Sequence, residues 1–165
     1  MQFSKQSPCQ VCCILSSELT KRSLTITGGG SVFANSGSYP LEGGYFYVTP
    51  VGYPTLAFSL GFTAAGIPEF TLVAQTADLS AGRVGTGPPT ITTLNGQAGT
   101  AILWIVDPDS GLRAYYAVPQ NGNLTKINVP VTPGVSKFQR PAFGNGRYYL
   151  STGNGQILVR SLSIF

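Results

Sequence analysis

The stretch AILWIV at residues 101–106 is followed by the turn sequence DPDSG at residues 107–111 and by LRAYYAV at residues 112–118. An apolar β-run, a turn rich in proline and glycine, and a second β-run are typical of a β-hairpin. The first run shows no alternation of apolar and polar residues, so we expect protein to cover both of its faces. The hairpin therefore predicts a sheet that is buried on two sides.

Two weaker versions of this unit occur upstream and downstream. Each contains short runs of β-branched and aromatic residues, separated by turns that contain glycine, proline or asparagine. The pairs Asn95-Gly96 and Asn145-Gly146 are strong hairpin signals. The predicted strands are residues 31–34, 45–49, 55–61 and 70–75 in the first unit, 89–94, 101–106, 112–118 and 124–129 in the second, and 140–143, 147–151 and 156–162 in the third, with a further short strand at residues 23–27.

Repeats of roughly fifty residues with three or four short antiparallel strands are typical of β-propeller blades. One four-stranded blade has two apolar faces, and it buries both by stacking against its neighbours. We therefore predict an all-β fold, a partial β-propeller of about three four-stranded antiparallel blades. A β-sandwich and a β-solenoid are the alternatives, although a sandwich favours cleaner alternation and a solenoid favours shorter repeats. The predicted propeller spans residues 23–165, with blades at about residues 31–78, 88–131 and 138–165, and residues 1–22 form a tail that is disordered or weakly signal-like.

The number of blades raises a difficulty. Propellers typically close with about four to eight blades, and this chain supplies about three. Its outermost blades are therefore predicted to expose apolar faces and unpaired strand edges. Either the chain is a piece of a larger protein, or copies associate, or the tail covers one face. We expect the chain to oligomerise or aggregate when it is expressed alone.

Composition narrows the classes of function. The chain has 165 residues, of which 42% are hydrophobic and only 10% charged, with a formal net charge of +4. Among the basic residues only Lys137, Arg140 and Arg147 lie near one another, which does not make the dense stripe that nucleic-acid binding needs. No stretch approaches the roughly 20 apolar residues of a membrane span. The sequence thus predicts no nucleic-acid partner and no membrane span.

The chain contains no histidine. This excludes Ser-His-Asp and Cys-His catalytic groups and zinc sites that contain histidine. The three cysteines, Cys9, Cys12 and Cys13, lack a fourth zinc ligand, and nothing favours a vicinal disulfide between the last two. The short apolar run at residues 11–15 follows Lys5 like a signal peptide, but Glu18 comes too soon after it. We therefore predict no metal site and only a weak signal sequence.

Several motifs are candidate binding sites. The sequence Asp107-Pro108-Asp109-Ser110-Gly111 resembles the start of a calcium loop but lacks the further oxygen ligands and the closing glutamate, so a tight turn is the better interpretation. The glycine-rich residues 28–30 and 82–87 lack the strand-to-helix context of a phosphate cradle. Four tyrosines, Tyr39, Tyr53, Tyr115 and Tyr116, are candidates for stacking on carbohydrate, with core packing as the alternative. Asn123-Leu124-Thr125 is an N-glycosylation sequon, and Asn123 is the predicted modified residue.

Three segments carry a family resemblance: residues 96–115 (GQAGTAILWIVDPDSGLRAY), residues 44–54 (GYFYVTPVGYP) and residues 137–144 (KFQRPAFG). They resemble segments of uncharacterised secreted fungal proteins that are similar to the quinoprotein (pyrroloquinoline-quinone-type) propeller repeats. The likeness covers about residues 31–162 and looks like the C-terminal blades of a longer protein. Family enzymes hold the quinone and calcium with acidic and polar residues from several blades, whereas this chain has six acidic residues and a single blade-docking tryptophan, Trp104. The resemblance implies the fold, and no catalytic residue carries over.

The sequence therefore predicts a non-catalytic propeller segment that serves as a binding or interaction surface, extracellular or derived from a secreted parent. Its predicted partners are further copies of itself or the missing blades of a parent propeller. No cofactor is predicted for this function. One alternative is a fragment of a quinone-dependent oxidoreductase, which would require pyrroloquinoline quinone and calcium. Another is a truncated product with no independent role.

Overall fold

The computed structural model describes residues 30–162, and within them the chain forms β-strands and no helix. The predicted tail at residues 1–22, its three cysteines and the predicted strand at residues 23–27 lie outside the described residues. The strands are β1 (Gly37–Tyr39), β2 (Tyr45–Val48), β3 (Pro54–Phe62), β4 (Pro68–Leu79), β5 (Thr90–Thr92), β6 (Ile102–Asp107), β7 (Gly111–Tyr116), β8 (Lys126–Ile127), β9 (Ala142–Gly144), β10 (Arg147–Ser151) and β11 (Ile157–Ser161).

These strands form three separate antiparallel sheets in which each strand pairs with its neighbour along the chain. Sheet 1 contains β1 to β4, sheet 2 contains β5 to β8, and sheet 3 contains β9 to β11. The prediction of an all-β, partial β-propeller is therefore confirmed. Sheet 3 has three strands where a complete blade has four.

Sheet 2 lies between the other two sheets, and β6 is its central element. All six residues of β6 are buried. Because side chains alternate along a strand, Leu103 and Ile105 pack with residues of sheet 1, whereas Ile102, Trp104 and Val106 pack with residues of sheet 3. The absence of alternation in residues 101–106 thus reflects two buried faces, as the sequence predicted.

The innermost strand of sheet 1 differs from the prediction. Residues 31–34 are not a strand, and β1 is Gly37–Tyr39 instead. Gly37 lies against sheet 2 so closely that a Cβ atom there would sit 2.7 Å from the backbone oxygen of Pro89. The apolar run at residues 31–34 favoured a strand by composition, but the strand forms where a glycine permits sheet 1 to approach Pro89 closely.

Strand β4 also differs from the prediction. It continues to Leu79, past the predicted end at residue 75. Thr76 and Asp78 look like connection residues in the sequence because they are polar. In the fold, the Thr76 hydroxyl accepts a hydrogen bond from the Thr55 amide at 2.9 Å and donates one to the Asp78 carbonyl oxygen at 2.8 Å. The polar residues are therefore satisfied within the strand, which continues through them.

The predicted asparagine–glycine turns have the backbone that this dipeptide favours. Asn95 and Gly96 have φ values of 51° and 74°, and Asn145 and Gly146 have values of 50° and 64°. Two successive positive φ angles belong to the type I′ hairpin turn, which asparagine and glycine adopt at low cost. The Asn145-Gly146 pair is the two-residue turn between β9 and β10, whereas Asn95-Gly96 forms a turn within the longer connection between β5 and β6.

Two fully buried tyrosines give a matched test of how the sheets are held together. The Tyr47 hydroxyl donates to the Ala117 carbonyl oxygen at 2.8 Å and so links sheet 1 to the residue that follows β7 in sheet 2. The Tyr148 hydroxyl has no hydrogen-bond partner among the described residues. We expect Tyr47→Phe to lower the free energy of unfolding by about 1 kcal/mol, because it leaves a buried carbonyl unpaired.

We expect Tyr148→Phe, by contrast, to leave stability unchanged or to raise it, since it removes a buried polar atom that has no partner. Urea unfolding at one fixed protein concentration measures both variants. Equal losses of stability in the two variants would contradict this assignment.

Candidate functional site

The most distinctive surface is the outer face of sheet 1, on the side away from sheet 2. Phe46, Leu60, Phe62, Phe70 and Leu72 share this side, because Phe46 pairs with Phe58, Leu60 with Phe70, and Phe58 with Leu72. We call these five residues the open face of sheet 1. Leu60, Phe62, Phe70 and Leu72 are between 38% and 52% exposed.

The open face continues into a buried apolar cluster. Val48, Leu56 and Phe58 are buried on the same side of the sheet, with Phe46 packed against them. The rings of Phe46 and Phe70 are 5.5 Å apart, which joins the buried cluster to the exposed end of the β3–β4 hairpin. The result is an apolar surface carried by β2, β3 and β4.

No charged residue among the described residues of sheet 1 lies on this face. The strands of sheet 1 contain two charged residues, Glu69 and Asp78. Glu69 alternates with Phe70 and so points to the other side, and Asp78 accepts a hydrogen bond from the Tyr115 hydroxyl of sheet 2. A contiguous apolar patch without charge on a strand surface is characteristic of an interaction site.

The other end of the stack also presents apolar side chains. On sheet 3, Tyr149 pairs with Val159 and Ser151 with Ile157, so these residues share the side away from sheet 2. Ile157 is 70% exposed and Val159 is 39% exposed. Arg147 lies on this side too, since it pairs with Ser161. We call this surface the outer face of sheet 3.

Asp107 lies at the end of β6 and is fully buried. Its Oδ2 accepts a hydrogen bond from the Ala81 amide at 2.7 Å and one from the Thr86 hydroxyl at 3.3 Å. Its Oδ1 accepts bonds from the amides of Asp109 and Ser110, each at 3.0 Å. The carboxylate therefore holds the connection between sheets 1 and 2 onto the β6–β7 turn.

The charge of Asp107 is stabilised despite its burial. Burial by itself raises the pKa of the carboxyl. The hydrogen bonds from Ala81 and Ser110 and the positive charge of Arg113 outweigh burial, so the net pKa lies below the ordinary value of 3.8. The Arg113 guanidinium lies 3.5 Å from Oδ1. Asp107 is thus ionised at neutral pH and contributes to structure in that form.

This lowered pKa predicts how stability depends on pH. A carboxyl with a lower pKa in the folded state contributes stability above its unfolded pKa, and the contribution disappears as the pH falls through the folded pKa. We expect the urea midpoint to be level between neutral pH and about pH 5 and to fall below about pH 4. Asp107→Asn should weaken this dependence, whereas Asp109→Asn, an exposed control in the same turn, should preserve it. An unchanged pH profile in Asp107→Asn would show that other carboxyls cause the loss.

A second carboxylate, Asp78, is also engaged. Its Oδ2 accepts hydrogen bonds from the Tyr115 hydroxyl at 2.9 Å and from the Lys126 ammonium at 2.9 Å. Burial raises the pKa of Asp78, but the bonds from Lys126 and Tyr115 outweigh it, and the net pKa is lowered. This group joins the end of β4 to β7 and β8, so it connects sheets 1 and 2.

The carboxylates of Asp78 and Asp107 are engaged by groups of the chain itself. No group of three or more His, Cys, Asp or Glu residues converges within residues 30–162. The oxygens of Asp107 and Asp78 are occupied by amides, hydroxyls and cationic side chains. These residues do not fit the oxygen-rich site that the quinoprotein resemblance implies, so the quinone and calcium stay a prediction from that resemblance alone.

No protein-family model, no curated protein and no solved structure matches this chain. The site must therefore be interpreted from its own geometry. Within residues 30–162, no helix has the length and apolar character that crossing a membrane requires.

The four tyrosines considered for carbohydrate stacking do not meet at one place. Tyr39 and Tyr115 are buried, and their hydroxyls donate to Glu42 and Asp78. Tyr53 is exposed in the β2–β3 turn, and Tyr116 is exposed at the end of β7 that lies away from the β6–β7 turn. These positions do not form a shared aromatic groove. Carbohydrate binding therefore stays a prediction without a site in this part of the chain.

Asn123, the predicted glycosylation site, lies exposed in the turn before β8. Its side-chain amide donates to the Asn121 carbonyl oxygen at 3.0 Å. Leu124, the next residue, is buried, and its backbone amide donates to the Gln75 carbonyl oxygen of β4. The turn thus presents the asparagine to solvent while its neighbour fixes the turn to sheet 1.

The sequence predicted that the outermost blades expose apolar faces, but it did not identify the residues of the open face. The signal was present: Leu56, Phe58, Leu60 and Phe62 recur at every second position. In isolation this alternation indicates a strand with one apolar side, and that side is normally assigned to the core. Only the sheet order shows that this side faces away from sheet 2.

Proposed function

We propose that the chain is a non-catalytic β-propeller segment that acts as an interaction module through the open face of sheet 1. The observation that carries this proposal is the exposure of four large apolar side chains, Leu60, Phe62, Phe70 and Leu72, on a face without charge. Exposing such a surface to water is unfavourable, and binding a partner relieves the cost.

The partner class we propose is another antiparallel β-sheet with an apolar face. The described fold buries apolar sheet faces in this way twice, once between sheets 1 and 2 and once between sheets 2 and 3. An apolar strand surface fits a second sheet at a spacing of about 10 Å. A further blade is therefore a better match to this face than a small molecule.

The absence of histidine and the structural engagement of Asp78 and Asp107 support a non-catalytic role. General acid–base catalysis requires a group that reaches the substrate and exchanges a proton near the working pH. Both carboxyls have lowered pKa values and are held by hydrogen bonds from neighbouring strands and turns. The exposed sequon at Asn123 supports an extracellular location for the module.

The proposal is tested with an apolar fluorescent dye, 1-anilinonaphthalene-8-sulfonate, at the lowest protein concentration that the measurement allows. We expect the folded wild-type chain to enhance the dye fluorescence and Leu72→Asp to reduce the enhancement strongly, because the aspartate places a charge in the middle of the face. Thr71→Asp is the matched control, since Thr71 is exposed on the same strand but points to the opposite side. Equal fluorescence from all three proteins would refute the proposal.

A further inference from the structure

We infer that the partner of the open face is a second copy of this chain, whose outer face of sheet 3 packs on it so that two chains close a ring of six sheets. This inference rests on the proposed function and names the partner. The ring would contain two equivalent junctions, each formed by sheet 1 of one chain and sheet 3 of the other.

The two end faces are different surfaces, and both present exposed apolar side chains. The open face of sheet 1 presents Leu60, Phe70 and Leu72, and the outer face of sheet 3 presents Ile157, Val159 and the partly buried Tyr149. Between them the described residues of the two faces carry one charge, Arg147. No pair of like charges therefore opposes the contact.

The proposed junction continues the packing that the chain already makes. Sheets 1, 2 and 3 stack in chain order, and each internal junction buries the side chains that point across it. At the inner edge, β1 contacts β5, with Gly37 close to Pro89. A further junction of the same kind places another sheet on the open face of sheet 1. In a second copy of the chain, sheet 3 has an uncovered side that can supply this contact.

The number of sheets is compatible with a closed ring. Two copies of the three sheets within residues 30–162 give six, which lies within the roughly four to eight blades at which propellers close. Unlike faces that meet head to tail form a closed ring when the rotation per unit permits it. A symmetric dimer through sheet 1 alone would bury two open faces but leave both outer faces of sheet 3 in water. The ring covers all four end faces.

The test uses the full chain and two variants, each with a charge on one end face. Leu72→Asp disables the open face of sheet 1, and Val159→Asp disables the outer face of sheet 3. Both residues are more than a third exposed, so both variants are expected to fold, which far-ultraviolet circular dichroism and urea unfolding verify. Thr71→Asp serves as the control that adds a charge to a neighbouring exposed position.

Sedimentation equilibrium over a series of protein concentrations then distinguishes the arrangements. We expect the wild type and Thr71→Asp to be dimers and each end-face variant alone to be a monomer, with self-association weakened by at least about tenfold. Mixing the two variants should restore a one-to-one dimer, because one copy still has its open face and the other still has its outer face of sheet 3. This rescue by mixing is specific to a head-to-tail junction.

Three results would overturn the inference. If Val159→Asp alone still dimerises as the wild type does, the dimer is symmetric through sheet 1. If the mixture stays monomeric, the two faces do not bind each other. If the wild type is a monomer and Leu72→Asp still reduces its dye fluorescence, the open face is an exposed apolar surface whose partner is a blade of a different protein. In that last case the proposed function stands and the second-copy inference alone fails.

Discussion

Asp107→Ala is expected to lower the free energy of unfolding by about 3 kcal/mol or more, a loss typical of breaking a buried charged pair. The substitution leaves the amides of Ala81, Asp109 and Ser110 without their acceptor and removes the negative charge beside Arg113. Each buried donor left unpaired costs about 1–3 kcal/mol, and the costs are not fully additive. Urea unfolding at neutral pH and fixed protein concentration measures the change.

The chain offers a control for this prediction two residues away. Asp109 forms an ion pair with Arg83 at 2.5 Å, but both side chains are about half exposed. Because exposed pairs contribute little, Asp109→Ala is expected to cost less than about 1 kcal/mol. The loss of stability in Asp107→Asn should fall between these two losses. The asparagine oxygen can still accept hydrogen bonds, but its NH2 group faces donors that the second carboxylate oxygen accepts from in the wild type. Similar losses in Asp107→Ala and Asp109→Ala would mean that the buried network does not stabilise the turn.

Trp104→Ala is expected to cost about 3–5 kcal/mol, the range for removing a buried large aromatic side chain. Trp104 is fully buried at the junction of sheets 2 and 3, with its ring 5.1 Å from that of Phe143 and 6.3 Å from that of Tyr148. Its indole nitrogen also donates to the Thr92 hydroxyl at 2.7 Å. The substitution therefore removes packing between sheets 2 and 3 and a hydrogen bond between β6 and β5.

The loss of local stability in Trp104→Ala should differ between the sheets. Hydrogen exchange is expected to rise most in β9 to β11, because sheet 3 loses the side chain that it packs against, and least in sheet 1, which contacts the other side of sheet 2. Tyr116→Ala is the control, since Tyr116 is 40% exposed at the end of the neighbouring strand. Trp104→Phe should lose less than Trp104→Ala, because it keeps an aromatic ring. Equal increases of exchange in sheets 1 and 3 would contradict the layered core.

Much of the architecture could be predicted from local pattern. Uninterrupted apolar character at residues 101–106 predicted a strand with two covered faces, and β6 is that strand. The Asn145-Gly146 pair predicted the two-residue reversal between β9 and β10, and the Asn95-Gly96 pair predicted a turn that lies within the longer connection between β5 and β6. These features follow from the two-residue period of a strand and from the few residues that tolerate a left-handed backbone.

Other features were missed because they depend on distant parts of the chain. Residues 31–34 have strand-like composition, yet β1 forms at Gly37–Tyr39, where a glycine permits close approach to Pro89. Thr76 and Asp78 have loop-like composition, yet β4 passes through them. In both cases a contact with a residue far along the sequence outweighs local preference.

The sequence by itself determined the all-β class, the turn positions and the existence of a strand buried on two sides. The period of side chains along the backbone and the stereochemistry of turns act over a few neighbouring residues, so a short stretch expresses them. Only the tertiary structure decided that Asp107 is a structural anion and that the Phe and Leu side chains of β3 and β4 face outward. The amide of Ala81 approaches Asp107 from 26 positions away. Whether an apolar strand face is core or surface depends on which sheet lies beside it.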